Sequence, residues 1–484
     1  MCTKQKGTLF SQSVRGKRMS ITSMIFLLVF LPISLIIYYI ANDKAKEYVL
    51  LALSLVFYAL GSVEYIILFV GAVALTVLLG RCMAYCQKKK IKVFLLILGI
   101  ILNAGLLIYY KYTDFALSIF AHITLKDIQF KNLLLPLGIS FFTFKAISYL
   151  VDVYKNEAEL EENPLHDALY LSFFAQIQSG PLSRYNEMKA FKKNCFSEGV
   201  YRFLTGFCKK VLIADVLTNI TNEVFSMPVE GYSTAYAWLG AICYSLQLYF
   251  DFAGYSDMAI GISGMFGYQC RENFNYPYMT ESVSKFWKRW HISLSEWFRD
   301  YVYIPLGGSR VNSKWRIYFN LFVVWTLTGI WHGASWNFVA WGLGYFIVIA
   351  FEKLTNLPDR LKTKVGKFTY RILSLAFINF QWVLFNSADL TSGLRYIKRM
   401  FICPPNELAD YRTLFLLKDY GFFIAIAIVF CFPVVPKLEK KLAGKKVIYP
   451  VAEIVKAVII IAAFVWSISF VVAGQNNPFT YANF

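Results

Sequence analysis
The chain is expected to be an all-helical, polytopic membrane protein, and three observations lead there. Of its 484 residues 57% are hydrophobic and only 16% are charged, against about a quarter charged in a typical soluble domain. Aromatic residues make up 18%, which suits belts at membrane–water interfaces. Apolar windows recur along the whole chain, near 21–40, 48–60, 63–80, 92–110, 132–151 and 167–179. They continue near 203–219, 233–265, 316–331, 334–351, 369–386, 419–436 and 449–472. A spanning helix needs about 20 apolar residues and several windows are shorter, so roughly 11 spans are expected, the rest being re-entrant or buried.

Taken in order, the first 20 residues carry Lys4, Lys6, Arg15, Lys17 and Arg18 ahead of the apolar run Ile21–Ile40. No small-residue cleavage site follows that run, so it reads as a retained anchor rather than a removed signal; Met19 and Met24 are alternative starts. Residues 1–20 are thus a basic extension, and 21–484 a single membrane domain with its core motifs in 132–351. Arg81, Lys88, Lys89, Lys90 and Lys92 form the strongest basic cluster and are expected on the cytoplasmic side. The net charge of +19 gathers between apolar runs, facing anionic lipid; with no basic soluble domain, nucleic acid is not an expected partner. The nine cysteines contain no Cys-x-x-Cys pair, and nothing completes a metal site around Cys82 and Cys86, so neither disulfides nor a metal are implied. The stretch 390–417, with Arg395, Lys398, Arg399, Pro404, Pro405 and Glu407, reads as a loop.

Three constellations carry chemistry. From Ile317 to Leu343, Tyr318 aside, His332 is the sole titratable side chain, and an ionisable group in an apolar stretch is a functional candidate by default. Its unperturbed pKa of about 6.5 suits general-base work near neutrality. As one straight helix Ile317–Ala350 would run about 51 Å, beyond a hydrocarbon core of about 30 Å. A break is therefore expected at Gly333 with Asn337. Spacing leaves two readings open: His332 held at depth, or wet at the surface beside an interfacial belt of Trp331, Trp336 and Trp341.

Ser282–Tyr301 gathers Phe286, Trp287, Trp290, Leu294, Trp297, Phe298 and Tyr301 on one helical face, opposite Lys285, Lys288, Arg289, Glu296, Arg299 and Asp300. That pattern suits one helix lying in the interface or lining a wet cavity, with His291 at the edge of the aromatic face. In Tyr236–Phe266, Asp251 and Asp257 need partners if buried; structural ion pairs, with Arg184 or Arg289 available, are favoured over proton transfer. No Ser nucleophile elbow, P-loop or Rossmann fingerprint is present.

Leu135–Tyr154, Ser179–Glu187, Gly206–Asp215, Gly254–Gly261, Phe274–Gly308, Leu327–Gly342 and Pro478–Phe484 together resemble the membrane-bound O-acyltransferase family, in particular its bacterial alginate O-acetyltransferase-like branch. The resemblance runs from Leu135 to the last residue, and the paired blocks WKRWHISLS and TGIWHGASW are its most specific part. It implies a ring of tilted helices with re-entrant helices around a central funnel, an essential histidine at His332 and a second characteristic one at His291. It further implies acyl transfer from a cytoplasmic thioester such as acetyl-CoA, in the bacterial cytoplasmic membrane, to an exported or anchored SGNH-type partner that modifies polysaccharide or peptidoglycan. Lys288, Arg289 and Arg299 are candidates for the donor phosphates, and Asp251, Asp257, Asp300, Trp331 and Asn337 for the funnel's framework; Arg299 and Asp300 could equally pair with each other. D-alanyl transfer toward teichoic acid is the alternative within the family. A proton-coupled transporter using His332, Asp251 and Asp257 is the alternative outside it.

Overall fold
The computed structural model describes residues 19–188, 195–402, 408–474, 477 and 479. The basic residues Lys4 to Arg18 and most of Pro478–Phe484 lie outside the described residues. Among the described residues every regular element is helical, as expected where a segment must satisfy its own backbone groups. Chain contacts divide the protein into two compact units, Met1–Val200 with Ala259–Cys270, and Tyr201–Met258 with Arg271–Phe484.

The first unit contains α1 (Leu31–Ile40), α2 (Lys46–Gly61), α3 (Ile66–Tyr85), α4 (Lys89–Thr124), α5 (Ile139–Tyr154) and α6 (Pro164–Ser172). Its core includes a knot of phenylalanine rings, Phe26, Phe30, Phe57 and Phe174, with Phe266. Beside it the buried Asp167 accepts from Arg81 Nε at 2.6 Å, Tyr149 Oη at 3.0 Å and Tyr185 Oη at 2.6 Å. A charge can stay in such an interior because a guanidinium and two hydroxyls donate to it.

Two helices, α7 (Phe196–Cys208) and α9 (Thr234–Met265), continue in sequence from one unit into the other. The second unit adds α8 (Val216–Ser226), α10 (Val283–Trp287), α11 (Ile292–Phe298), α12 (Lys314–His332), α13 (Trp336–Thr355) and α14 (Lys364–Asn386). It is completed by α15 (Leu390–Arg399), α16 (Tyr411–Phe430) and α17 (Ile448–Val472). Among the described residues six helices, α3, α4, α13, α14, α16 and α17, are long and apolar enough to cross a membrane, and Phe26–Ile40 is a shorter apolar segment. The protein is therefore a multi-pass membrane protein, though fewer segments qualify as spans than the roughly 11 expected from windows. Windows such as α5, with 16 residues, are shorter than a full span.

One further expectation is revised and one is met. Leu390–Arg399 is a helix rather than a loop: Asp389 caps it by accepting from Ser392 N at 2.8 Å, and Gly393 and Tyr396 face inward. Its charged outer face hid it from a hydropathy window. The 317–350 stretch does break as expected, α12 ending at His332 and α13 starting at Trp336.

That break makes a tight helical hairpin, and two glycines set its closeness. A Cβ on Gly342 would lie 2.4 Å from Trp325 O, and one on Gly329 would lie 2.5 Å from Phe338 O. Small residues let helix backbones approach where lipid offers no hydrophobic drive between helices. Gly333 has an extended backbone, but a Cβ there would lie 2.2 Å from the Phe338 ring. Gly342→Ala should therefore lower the melting temperature in detergent, by overpacking worth about 1–3 kcal/mol. Gly421→Ala in α16, where a Cβ meets nothing within 4 Å, should leave it unchanged or raise it, helix propensity favouring Ala by about 0.5–1 kcal/mol.

Candidate active site
His332 is the last residue of α12 and is only 2% exposed. The hairpin turns it into an aromatic wall: its ring centre lies 4.7 Å from Trp331, 4.8 Å from Trp341 and 5.1 Å from Phe385. Behind that wall Trp341 packs on Trp287, Trp325, Tyr345 and Trp382. Trp331 and Trp341 are buried while Trp336 is 59% exposed, so the three do not form an interfacial belt. The reading in which His332 is wet at the surface is set aside with it.

Asn337, in the first turn of α13, holds the wall in place. Its Nδ2 donates to Leu384 O at 3.2 Å and Ser387 O at 2.9 Å. Both carbonyls lie at the C-terminal end of α14, where a helix leaves acceptors to spare; Leu384 O also accepts from Ser387 N at 3.3 Å. Asn337 thereby fixes the turn that carries Phe385 against His332. Gln381, one turn back, donates to Trp341 O at 2.8 Å.

Ser282–Tyr301 is not one helix. It is α10, a turn, α11 and a π-helical segment Arg299–Tyr303, with His291 at the break in the left-handed region at φ 44°. The sidedness expected for the stretch survives: Phe286, Trp287, Trp290, Leu294, Trp297 and Phe298 are buried, and Lys285, Lys288 and Arg299 are exposed. What breaks the helix is Asn273, a residue to which the periodicity gave no clue. Ile292 N donates to Asn273 O at 3.0 Å, so backbone pairing at the kink runs to a neighbouring strand of chain rather than along a helix.

The same asparagine sets the chemistry of His291. Asn273 Oδ1 accepts from Ser293 N at 3.3 Å and Ser293 Oγ at 2.9 Å, while its Nδ2 donates to Ser256 Oγ at 3.1 Å. A backbone N–H can only donate, which assigns the amide oxygen. His291 Nδ1, 3.0 Å from that oxygen, must therefore carry the hydrogen, leaving the lone pair of the neutral ring on Nε2. Burial disfavours the imidazolium and pushes its pKa down to about 3. His291 is 1% exposed and packs edge-on against Phe252 at 4.6 Å. The Trp331 ring lies 6.5 Å from His291 and 4.7 Å from His332, so it stands beside both imidazoles.

Glu352 on α13 was also outside the sequence reading. It is buried and accepts from Val283 N at 2.9 Å, Ser284 N at 2.8 Å and Tyr370 Oη at 2.8 Å. A carboxylate on the first N–H groups of α10 caps that short helix. It docks the histidine-bearing block onto the helix that follows His332.

Asp251 and Asp257 are structural ion pairs, as favoured. Asp251 bonds Lys210 at 2.8 Å, which also reaches Asp215 at 2.5 Å; Asp257 bonds Arg202 at 2.7 Å and Lys209 at 2.6 Å. These cations were not among the partners named from sequence. Lys209 and Lys210 sit in a π-helical segment, Lys209–Asp215, and are about 100° apart round a helix, so each can meet a different carboxylate. Arg299 pairs with Asp300 at 2.6 Å and lies 3.8 Å from Glu296. Its charge is already compensated, whereas Lys288 is exposed and Arg289 half-buried.

The fold and site together define a helical membrane protein with two buried, differently held imidazoles near one tryptophan ring. The model of the MBOAT, membrane-bound O-acyltransferase family matches residues 163–393. The chain is 36% identical over 396 residues to the "Probable alginate O-acetylase AlgI" of Pseudomonas aeruginosa, covering 79% of this chain and 75% of that one. It is 35% identical over 415 residues to the "Peptidoglycan O-acetyltransferase" of Helicobacter pylori, covering 78% of each. A "Teichoic acid D-alanyltransferase" of Bacillus subtilis is 33% identical over 286 residues, covering 53% of this chain and 69% of that one. The chain belongs to the membrane-bound O-acyltransferase family. It is an acyltransferase.

Asn273→Ala would remove the acceptor that holds Nδ1–H of His291 and leave Ser293 and the imidazole short of a partner, at about 1–3 kcal/mol. The expected outcome is a clear loss of acyl transfer, with Asn273→Asp, which keeps an acceptor oxygen, retaining more activity than Asn273→Ala. Equal activity in the two variants, measured on protein of matched thermal stability, would contradict the tautomer assignment.

Proposed function
We propose that this acyltransferase moves an acetyl group from cytoplasmic acetyl-CoA toward O-acetylation of an exported polysaccharide or peptidoglycan, in the bacterial cytoplasmic membrane. The observation that carries this reading is the burial of His332 at the end of α12 inside an aromatic wall, where water is excluded. Likeness over most of the chain to an alginate O-acetylase and a peptidoglycan O-acetyltransferase supports the acetyl group and the envelope acceptor. The D-alanyltransferase likeness covers 53% of the chain, which makes D-alanyl transfer the weaker reading.

In the proposed reaction the hydroxyl of the acceptor attacks the thioester carbonyl while His332 takes its proton. The carbon–sulfur bond breaks and the thiolate leaves, regaining a proton as free CoA. A positioned base of this kind is worth about 10²–10⁴ in rate. His332 sits at the negative end of the α12 dipole, which favours the positive charge that develops as it accepts the proton. A dry pocket also limits hydrolysis of the thioester. His291, neutral with its lone pair on Nε2, orients the donor or passes the proton on. Lys288 and Arg289 are the cations proposed for the donor phosphates, since charge-assisted bonds to phosphate are strong; Arg299, occupied by Asp300, is the weaker candidate. The acceptor hydroxyl is supplied by an exported or anchored SGNH-type acyltransferase, which then passes the acetyl group to the polymer.

The test is turnover of labelled acetyl-CoA by purified protein supplied with the exported partner, together with envelope acetylation in cells. His332→Ala is expected to abolish both while the protein remains in the membrane. Unchanged acetylation in that strain would remove His332 from the chemistry. Proton-coupled flux of an envelope precursor without thioester consumption would replace enzyme by transporter.

A further inference from the structure
We infer that the first unit holds one membrane phospholipid with a phosphoethanolamine headgroup, in an apolar cleft between α2, α3 and α6. The cleft has a volume of about 610 Å³, within the roughly 300–1,000 Å³ of small-molecule sites. One face of α3 supplies much of its lining, with Val70, Val73, Ala74, Val77 and Leu78 at helical spacing. Val70 and Leu78 are exposed and α3 is one of the helices able to cross a membrane. Such a cleft is bathed by lipid rather than water, so an acyl chain is its natural filling.

Its charged lining consists of Arg81 and Glu162, and both come at the α3 C-terminal end together with Tyr85. Arg81 is anchored rather than free to swing: Nε donates to the buried Asp167 at 2.6 Å and Nη1 lies 3.5 Å from Glu162 O. Its Nη2 is buried without a hydrogen-bond acceptor, the Tyr85 hydroxyl lying nearby. A guanidinium fixed in this way presents N–H groups in the fork geometry that suits a phosphate. The two charges that line the cleft are thus one of each sign, Arg81 being already paired with Asp167 behind it. A purely anionic headgroup would add uncompensated negative charge beside Glu162. A zwitterionic one brings phosphate to Arg81 and an ammonium to Glu162, matching both signs.

The inference stands independently of the acyl-transfer reading and is tested without activity. The full chain is purified in mild detergent, offered equal phosphatidylethanolamine and phosphatidylglycerol of the same acyl composition, and examined by native mass spectrometry. Phosphatidylethanolamine should be retained at least about tenfold over phosphatidylglycerol, and Arg81→Gln should cut that retention about tenfold. Ala74→Trp fills the cleft while leaving the Arg81–Asp167 pair intact, so it decides the matter if Arg81→Gln fails to fold; it too should expel the lipid. Equal retention of the two lipids, retention unchanged by Ala74→Trp, or a second copy of the chain bound in place of lipid would each overturn the inference.

Discussion

The site depends on one buried amide. Asn273 Oδ1 gathers a backbone N–H, a hydroxyl and an imidazole N–H onto a single atom. That convergence does three things at once. It ends a helix that the aromatic pattern would otherwise continue, it places His291 in the left-handed region, and it decides which ring nitrogen carries the lone pair. In a water-poor interior a polar group with its partners in place is rigid, and the same group deprived of one is costly. The position of His291 is therefore set by hydrogen bonding rather than by packing alone.

His332 stands against a wall of rings, and its position follows from the hairpin of α12 and α13, whose closeness two glycines permit. Asn337 and Gln381 tie α13 to the end of α14, and Glu352 ties it to α10. α13 is thus the common support: it faces His332 through Trp341, carries the cap of the His291 block, and anchors the turn bearing Phe385. A general base gains from such rigid placement, because catalysis rewards geometry held before the substrate arrives.

Much of this was legible in the sequence. The fold class came from composition, the Gly333 break from the length of an apolar stretch, and the two histidines from their contrast with what surrounds them and from family likeness. Asp251 and Asp257 were rightly read as ion pairs, because a carboxylate in an apolar helix must find a cation. The particular cations were not legible, since Lys209 and Lys210 lie about forty residues away and no periodicity links them. Asn273 and Glu352 were invisible for the same reason: each acts through contacts with residues distant in sequence, which no periodic pattern reports. Helix α15 reads as loop in the sequence because its charges outweigh its one inward face. Patterns report periodic faces well and single contacts hardly at all.

The central claim is that His291 is a neutral imidazole with its proton on Nδ1, locked by Asn273 near the Trp331 ring that also meets His332. The chain has four histidines, few enough to resolve in a ¹⁵N-histidine solid-state NMR spectrum of the protein in bilayers. One ring, identified by its loss in His291→Gln, should show the Nδ1-protonated neutral tautomer unchanged between about pH 5 and 8, well above a pKa of about 3. An Nε2-protonated ring, or one that becomes imidazolium within that range, would contradict the assignment and the site built on it.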